Sequence, residues 1–424
     1  MNFQQFLEQI TQPSYIIAYV VIIVVIMIAI VILVMVNEGR LRSASQRIVR
    51  AAQKAEETQE KGDEEEKVSR FSMLKEYDEH PKPPAPPRVE ISLKDLCEEF
   101  RIFAAGKLGL YYDISAIREF IAGMAVSHIV ILQGMSGTGK TSLAYAFGEF
   151  IGNPSAIIPV QPMWKERTDL LGYYNEFTKH FNETLLLQKM YEANGREEMY
   201  IVILDELNIA RVEYYFAEFL SMLEIPNPES RYLDVVSDRI EGDPKDLVNG
   251  RIRLPENMWF IGTANNDDST FAISDKVYDR AMVLNLDKKF EPFQASGSRN
   301  VPLRAGQFTE LAAEAVEEHP VSDECMENLQ KLDSYLIEKF HLTFGNRIMR
   351  QIRSYLPIYV ACGGEELTAL DDIIAKKVFR KLETQNAAYV RSESEALCAY
   401  IDSIFGEDRM LRCKEYVRRI AATI

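Results

Sequence analysis

Cysteine, histidine and tryptophan are scarce in this chain, whose 424 residues contain five, five and two of them. The cysteines (Cys97, Cys325, Cys362, Cys398 and Cys413) form no CxxC pair and are odd in number. They give neither a disulfide framework nor a zinc site, and suit buried thiols in a reducing compartment. The histidines are scattered. His128, at the head of an apolar run, reads as structural rather than as a ligand. Positive charge is in deficit too, with a net charge of −16. A general grip on nucleic acid needs Lys and Arg against the phosphates, so that partner class is disfavoured, although a local basic channel stays open. Apolar residues make up 47%, enough to bury a core, and the length suits two or three domains.

Charge and proline are absent from residues 15–36, YIIAYVVIIVVIMIAIVILVMV. As a helix this run would be about 33 Å long, enough to cross the hydrocarbon layer. A cleaved signal peptide would have a basic start and a shorter apolar stretch, whereas here only Glu8 precedes the run. The expectation is a single transmembrane helix and thus a bilayer as partner. Arg40, Arg42, Arg47, Arg50 and Lys54 follow it, against Glu38. The positive-inside rule then places residues 1–14 outside and the rest of the chain in the cytoplasm.

Residues 37–88 read as a linker. It begins basic, passes through the acidic run Asp63–Glu66 and ends in PKPPAPPR at 81–88. The basic half suits contact with anionic lipid heads, or serves as a topology signal alone. The proline stretch reads as an extended, semi-rigid spacer. The globular part is expected to begin near Val89.

From His128 to Gln133, HIVILQ reads as a buried strand. GMSGTGKT follows at Gly134–Thr141, then SLAYAFGEF at helical spacing. Strand, glycine loop and helix together are the context of a phosphate-binding loop. Glycines let backbone N–H groups wrap phosphates without Cβ clashes. The nucleotide-binding residues are therefore Gly134, Met135, Ser136, Gly137, Thr138, Gly139, Lys140, Thr141 and Ser142. Lys140 is expected at the β- and γ-phosphates and the Thr141 hydroxyl on Mg²⁺. A second apolar run, YIVILDE at Tyr200–Glu206, ends in two carboxylates, where open α/β sheets bind ligands. Asp205 is expected to support the metal and Glu206 to act as general base on the attacking water. A third strand at Met258–Thr263 leads to Asn265, whose amide could orient that water.

From about Ser92 onward these segments resemble the AAA+ ATPases, more narrowly the McrB-like and MoxR-like branch with a dynein-related (AAA_5-type) ATPase domain. GMSGTGKT is similar to the Walker A motif and YIVILDELNIARVEYYFAEFLSMLE to Walker B with its following helix. GTANNDDSTFAISDKVYDRA is similar to the sensor 1 segment, and FGNRIMRQI resembles the sensor 2 helix of a small lid. The resemblance implies a P-loop α/β core at 89–296, a parallel sheet flanked by helices, and a helical lid at 297–424. It further implies that Asn265 is sensor 1, Arg280 an arginine finger reaching a neighbour's γ-phosphate, and Arg347 sensor 2; Arg211 could also face a neighbour. Assembly as a homo-oligomeric ring, most readily a hexamer, goes with the finger. McrB proteins, which use GTP, carry MNxxDRS at sensor 1. Here ANNDDST keeps Asn265 and Asp268 but has Ser269 in place of the arginine, so ATP is expected rather than GTP.

Between the glycine loop and the second strand, Trp164, Arg167, Tyr173 and Tyr174 could belong to an insert touching substrate or neighbour, or to the core. Residues 225–257 read as loops with a hairpin, 295–306 as a hinge, and 308–341, 344–361 and 367–420 as helical. The leading expectation is a membrane-anchored AAA+ ATPase that remodels an unidentified partner protein at the cytoplasmic membrane face. The alternatives are the motor subunit of a nucleic-acid defence system with a separate nuclease, and a nucleotide-regulated scaffold without turnover.

Overall fold

The structure, a computed structural model, describes residues 69–80, 82–265, 270–287 and 290–423. The chain divides into residues 1–68 and 69–424. The apolar run at 15–36 and the linker as far as residue 68 lie outside the described residues. Among the described residues no helix is long and apolar enough to cross a membrane.

Residues 69–80, within the expected linker, pack against the part of the chain expected to begin near Val89. Helix α1 (Met73–Glu79) is held by its ends and one face. Phe71 and Leu74 are fully buried, and the Phe71 ring stacks on Phe181 at 4.9 Å. The Glu183 carboxylate accepts from the backbone N–H groups of Ser72, Met73 and Leu74, at 3.1, 2.8 and 2.9 Å. An anion at open helix N–H groups is favourable. Arg70 binds Asp243 through two nitrogens, at 3.0 and 2.7 Å. Two apolar residues among charges do not stand out until their burial is known.

Helices α2 (Leu93–Leu108) and α3 (Ile114–Val126) precede the sheet. Strand β1 (Ile129–Gly134) feeds α4 (Lys140–Phe150). Then come β2 (Ala156–Pro159), the hairpin β3 (Gly172–Asn175) and β4 (His180–Glu183), α5 (Leu185–Ala193) and β5 (Tyr200–Asp205). Helix α6 (Ala217–Met222), the small hairpin β6 (Tyr232–Asp234) and β7 (Arg251–Arg253), and β8 (Met258–Asn265) follow. The core closes with the one-turn α7 (Asp275–Tyr278) and β9 (Met282–Asn285). The hairpin expected within 225–257 is therefore present.

Five strands form one parallel sheet in the order β2-β5-β8-β1-β9. Alternate residues of β1, β5, β8 and β9 enter different cores, as a period of two requires. Val130, Leu132, Ile201, Ile203 and Ile261 pack with α2, α3 and α4. Ile131, Val202, Leu204 and Phe260 pack on the other face, with Phe216 and Phe219. Burial on both faces is what an all-parallel sheet needs, and explains the unbroken apolar runs.

The segment before residue 305 is irregular yet anchored. Val301 and Leu303 are buried, and Val301 N–H donates to Phe150 O at 2.8 Å. The lid helices start at Ala305, three residues before the expected 308. They are α8 (Ala305–Glu318), α9 (Asp323–Phe340), α10 (Gly345–Ala361), α11 (Glu366–Lys377), α12 (Ala387–Phe405) and α13 (Leu411–Thr423). Pro320 divides the expected 308–341 helix in two. A buried charge cluster joins core to lid. Glu119 of α3 accepts from Lys376 at 2.9 Å and from Arg412 at 2.6 Å. Asp372 pairs with the same two cations. Glu119, Asp372 and Lys376 are buried while Arg412 reaches solvent, so losing Lys376 would leave buried carboxylates short of a partner at a cost on the order of 3–5 kcal/mol.

Candidate active site

The glycine loop joins the end of β1 to α4, at the carboxyl edge of the sheet. Gly134 has φ 149°, and a Cβ there would lie 2.4 Å from Leu286 O, so the loop's root admits no side chain. Gly139, φ 87°, caps α4. Its carbonyl accepts from the buried Tyr112 hydroxyl at 3.0 Å. The first N–H groups of α4 thus open onto the loop, a ready anion site. Lys140 is buried, and its amine donates to Gly134 O and Met135 O at 3.0 and 2.7 Å. Thr138 Oγ1 donates to Met135 O at 3.0 Å. Met135, Ser136 and Gly137 form the exposed crest, and Thr141 and Ser142 open the helix.

Asp205 ends β5. Its Oδ1 accepts from Thr141 Oγ1 at 2.7 Å and from Thr263 Oγ1 at 2.8 Å. Thr263 Oγ1 in turn accepts from Glu206 N–H at 2.9 Å. Thr263, which sequence reasoning passed over, therefore fixes both members of the carboxylate pair. Glu206 is exposed and adopts φ 54°, ψ 47°. A non-glycine residue there stores about 1–3 kcal/mol, and such strain gathers at functional sites.

Asn265 ends β8, and the sheet register sets it opposite Gly134. Buried Asn208 holds this end: its Nδ2 donates to Asn265 O at 2.9 Å and Phe271 O at 3.2 Å, and its Oδ1 accepts from Asn265 N–H at 3.3 Å. Asn208 was also missed; a buried amide three residues past Asp205 was its signal. Gln133 and Asn265 line a cleft of about 490 Å³ beneath the lid, with Tyr278, Arg380 and Arg419. Tyr278 donates its hydroxyl proton to Gln133 Oε1 at 3.1 Å, and Arg380 lies 4.0 Å over the Tyr278 ring.

Arg280 and Arg347 stand apart from this cleft and together. Arg280, just before β9, donates to Glu224 Oε2 at 2.8 Å. Arg347, at the start of α10, pairs with Oε1 of the same carboxylate. Behind them Lys377 of α11 is buried and donates to Tyr278 O at 2.6 Å and to Ala281 O. Burial pushes its amine down to about 7. Arg211 lies 5.2 Å over the Phe271 ring.

The candidate insert is divided. Trp164 meets Tyr215 edge-on at 5.5 Å and belongs to the core. Arg167 pairs with Glu218 at 2.8 Å. Tyr174 is partly buried and Tyr173 half exposed, while Phe177, between β3 and β4, is almost wholly exposed. All five cysteines are free and buried. His128 stacks on Trp259 at 4.9 Å, a structural place.

A parallel sheet in this order, a glycine loop at its carboxyl edge and a hydroxyl–carboxylate pair beside it define a P-loop nucleotide-binding core. Residues 129–281 match the AAA domain of the dynein-related subfamily. Residues 298–423 match a domain of unknown function, DUF8727. Among solved structures, a "putative ATPase" from Cytophaga hutchinsonii is similar at 10% identity and TM-score 0.44, over 78% of this chain and 93% of that one. A full-length MCM homolog from Methanopyrus kandleri is similar at 13% identity and TM-score 0.36, over 66% of this chain and 59% of that one. At these scores neither likeness bears on function. No curated protein matches the chain.

Proposed function

We propose that the chain hydrolyses ATP, with Mg²⁺, at a site completed by a second copy of itself. The observation that carries this reading is the chain of contacts Thr141–Asp205–Thr263–Glu206 beside a glycine loop closed by Lys140. A hydroxyl and a carboxylate 2.7 Å apart are the hard oxygen donors that Mg²⁺ takes, directly or through water. Magnesium bound there would neutralise charge on the β- and γ-phosphate oxygens. Lys140 exchanges its two carbonyl partners for phosphate oxygens. The N–H groups of the loop and of α4 hold the remaining phosphate charge. Glu206 receives the proton of the attacking water, and Asn265 orients that water. Arg280 and Arg347 act on a neighbour's phosphate, in a ring that is most readily a hexamer.

Residues 15–36 anchor the assembly in a membrane with the ATPase domain on the cytoplasmic side, and turnover drives remodelling of a partner protein there. The apolar run and its basic flank support this placement. Turnover of ATP by the purified full chain, against Glu206→Gln, tests the chemistry. The variant should bind ATP and release no phosphate. Equal phosphate release would remove Glu206 from its role. Resistance of the chain to carbonate extraction from membranes, lost on deleting 15–36, tests the anchor; extraction of the intact chain would refute it. Phosphate release stimulated by DNA or RNA would favour the nucleic-acid motor instead.

A further inference from the structure

Two guanidinium groups from different parts of the molecule share one carboxylate. Arg280 belongs to the α/β core and Arg347 to the lid, and each takes one oxygen of Glu224. One negative charge against two positive ones leaves the cluster short of an anion. Lys381, 3.6 Å from Asp279, adds a further cation whose partner is already present. The Arg280 Nε–H is buried and has no hydrogen-bond partner among the described residues, so Glu224 leaves this guanidinium incompletely paired. Its NH1 is taken by Lys276 O at 2.6 Å.

Stability alone explains the arrangement poorly. Glu224 and Arg347 are both well exposed, with side-chain exposures of 35% and 44%, and ion pairs at such positions are worth little. Two guanidiniums converging on one exposed carboxylate suit a phosphoryl group, which carries up to two charges and three acceptor oxygens. Glu224 lies on the segment that leaves the carboxylate pair, Asp205 and Glu206. It follows α6, whose Phe219 and Leu220 are buried under the sheet.

We propose that Glu224 stands, in the single chain, where the terminal phosphate of a nucleotide held by a second copy stands in the assembly. Its carboxylate keeps Arg280 and Arg347 together and withholds them until that phosphate displaces it. The inference rests on the shared-site reading above and adds an internal competitor to it.

The test is assembly of the full chain in detergent, followed by sedimentation with Mg²⁺ and a non-hydrolysable ATP analogue, so that no turnover is needed. Glu224→Gln keeps the shape and removes the charge. It should assemble at a protein concentration about 3- to 10-fold lower than the unsubstituted chain, the size of one or two exposed pairs. Without nucleotide the two should behave alike, and Lys140→Ala added to Glu224→Gln should abolish the gain. Glu224→Ala, with its melting temperature as a check on folding, should act in the same direction. An unchanged midpoint would overturn the proposal. So would a higher midpoint like that of Arg280→Ala, because Glu224 would then support the arginines. If the unsubstituted chain shows no nucleotide-dependent assembly, the shared site fails and this proposal with it. If it assembles and Glu224→Gln changes nothing, only Glu224 loses its role.

Discussion

At the phosphate loop the interacting groups come from three adjacent strands and one helix of a single core. Lys140 is buried, and Thr141, Asp205 and Thr263 satisfy one another over distances of 2.7–2.8 Å. At the Arg280–Arg347 pair the groups come from core and lid, and meet on a partly exposed carboxylate. The first site draws its loop, hydroxyl and carboxylate groups from one chain, each already paired with another of them. The second has donors in excess of its acceptors. On the proposed reading the two regions do different work: one holds a nucleotide, and the other meets a group from outside the chain.

The contrast can be broken most severely at Lys140. Lys140→Ala removes the charged donor at the phosphates, and charge-assisted hydrogen bonds of this kind are worth about 1.5–3 kcal/mol each. Nucleotide affinity should fall at least ~100-fold in a fluorescent-analogue titration; unchanged affinity would overturn the phosphate-loop assignment. Arg280→Ala should leave that affinity within about 3-fold, because the exposed pair it breaks lies outside the cleft. A loss matching that of Lys140→Ala would place Arg280 in its own chain's site.

A smaller effect is expected at Thr263. Thr263→Val keeps the shape but takes a hydrogen bond from Asp205 and another from Glu206 N–H, at about 1–3 kcal/mol for the unsatisfied groups. Turnover should fall about 10-fold with the melting temperature nearly kept. Normal turnover would show that Asp205 and Glu206 need no such brace.

The smallest effect concerns the lid's hold on the Arg280 segment. Burial lowers the Lys377 amine to about 7, against the attraction of Asp279 and with repulsion from Arg380, Arg347 and Lys381. Between that value and the unfolded value near 10.4, the unfolded chain binds the extra proton. Lys377 therefore costs stability at low pH, and the cost fades as pH rises through about 7. The urea midpoint of the unsubstituted chain should gain on that of Lys377→Met from pH 6 to pH 8.5. A constant difference would mean that Lys377 keeps its ordinary pKa.

What could be read beforehand divides along the same line. GMSGTGKT and YIVILDE are contiguous, so strand, loop and carboxylates could be placed from local pattern, and the structure sets them side by side. Thr263 and Asn208 matter through the register of β5 beside β8, which no local pattern carries. Arg280 and Arg347 were legible as residues through family resemblance, but not as neighbours, since their meeting point is a glutamate 56 and 123 positions away. The packing of residues 69–80 was hidden from local pattern for the same reason. Phe71 stacks on Phe181, Arg70 binds Asp243, and the N–H groups of Ser72 and Met73 meet Glu183, all more than a hundred residues on. The exposed Phe177 gave no periodic signal at all.

The central claim is that one copy's arginine completes another copy's site. Chains carrying Arg280→Ala, which keep Glu206, can be mixed with chains carrying Glu206→Gln, which keep Arg280. Each alone should release little phosphate. The mixture should recover a measurable share of the unsubstituted rate, because some interfaces then hold an intact Glu206 facing an intact Arg280. A mixture no more active than its components, with mixed assemblies shown to form, would contradict the shared site.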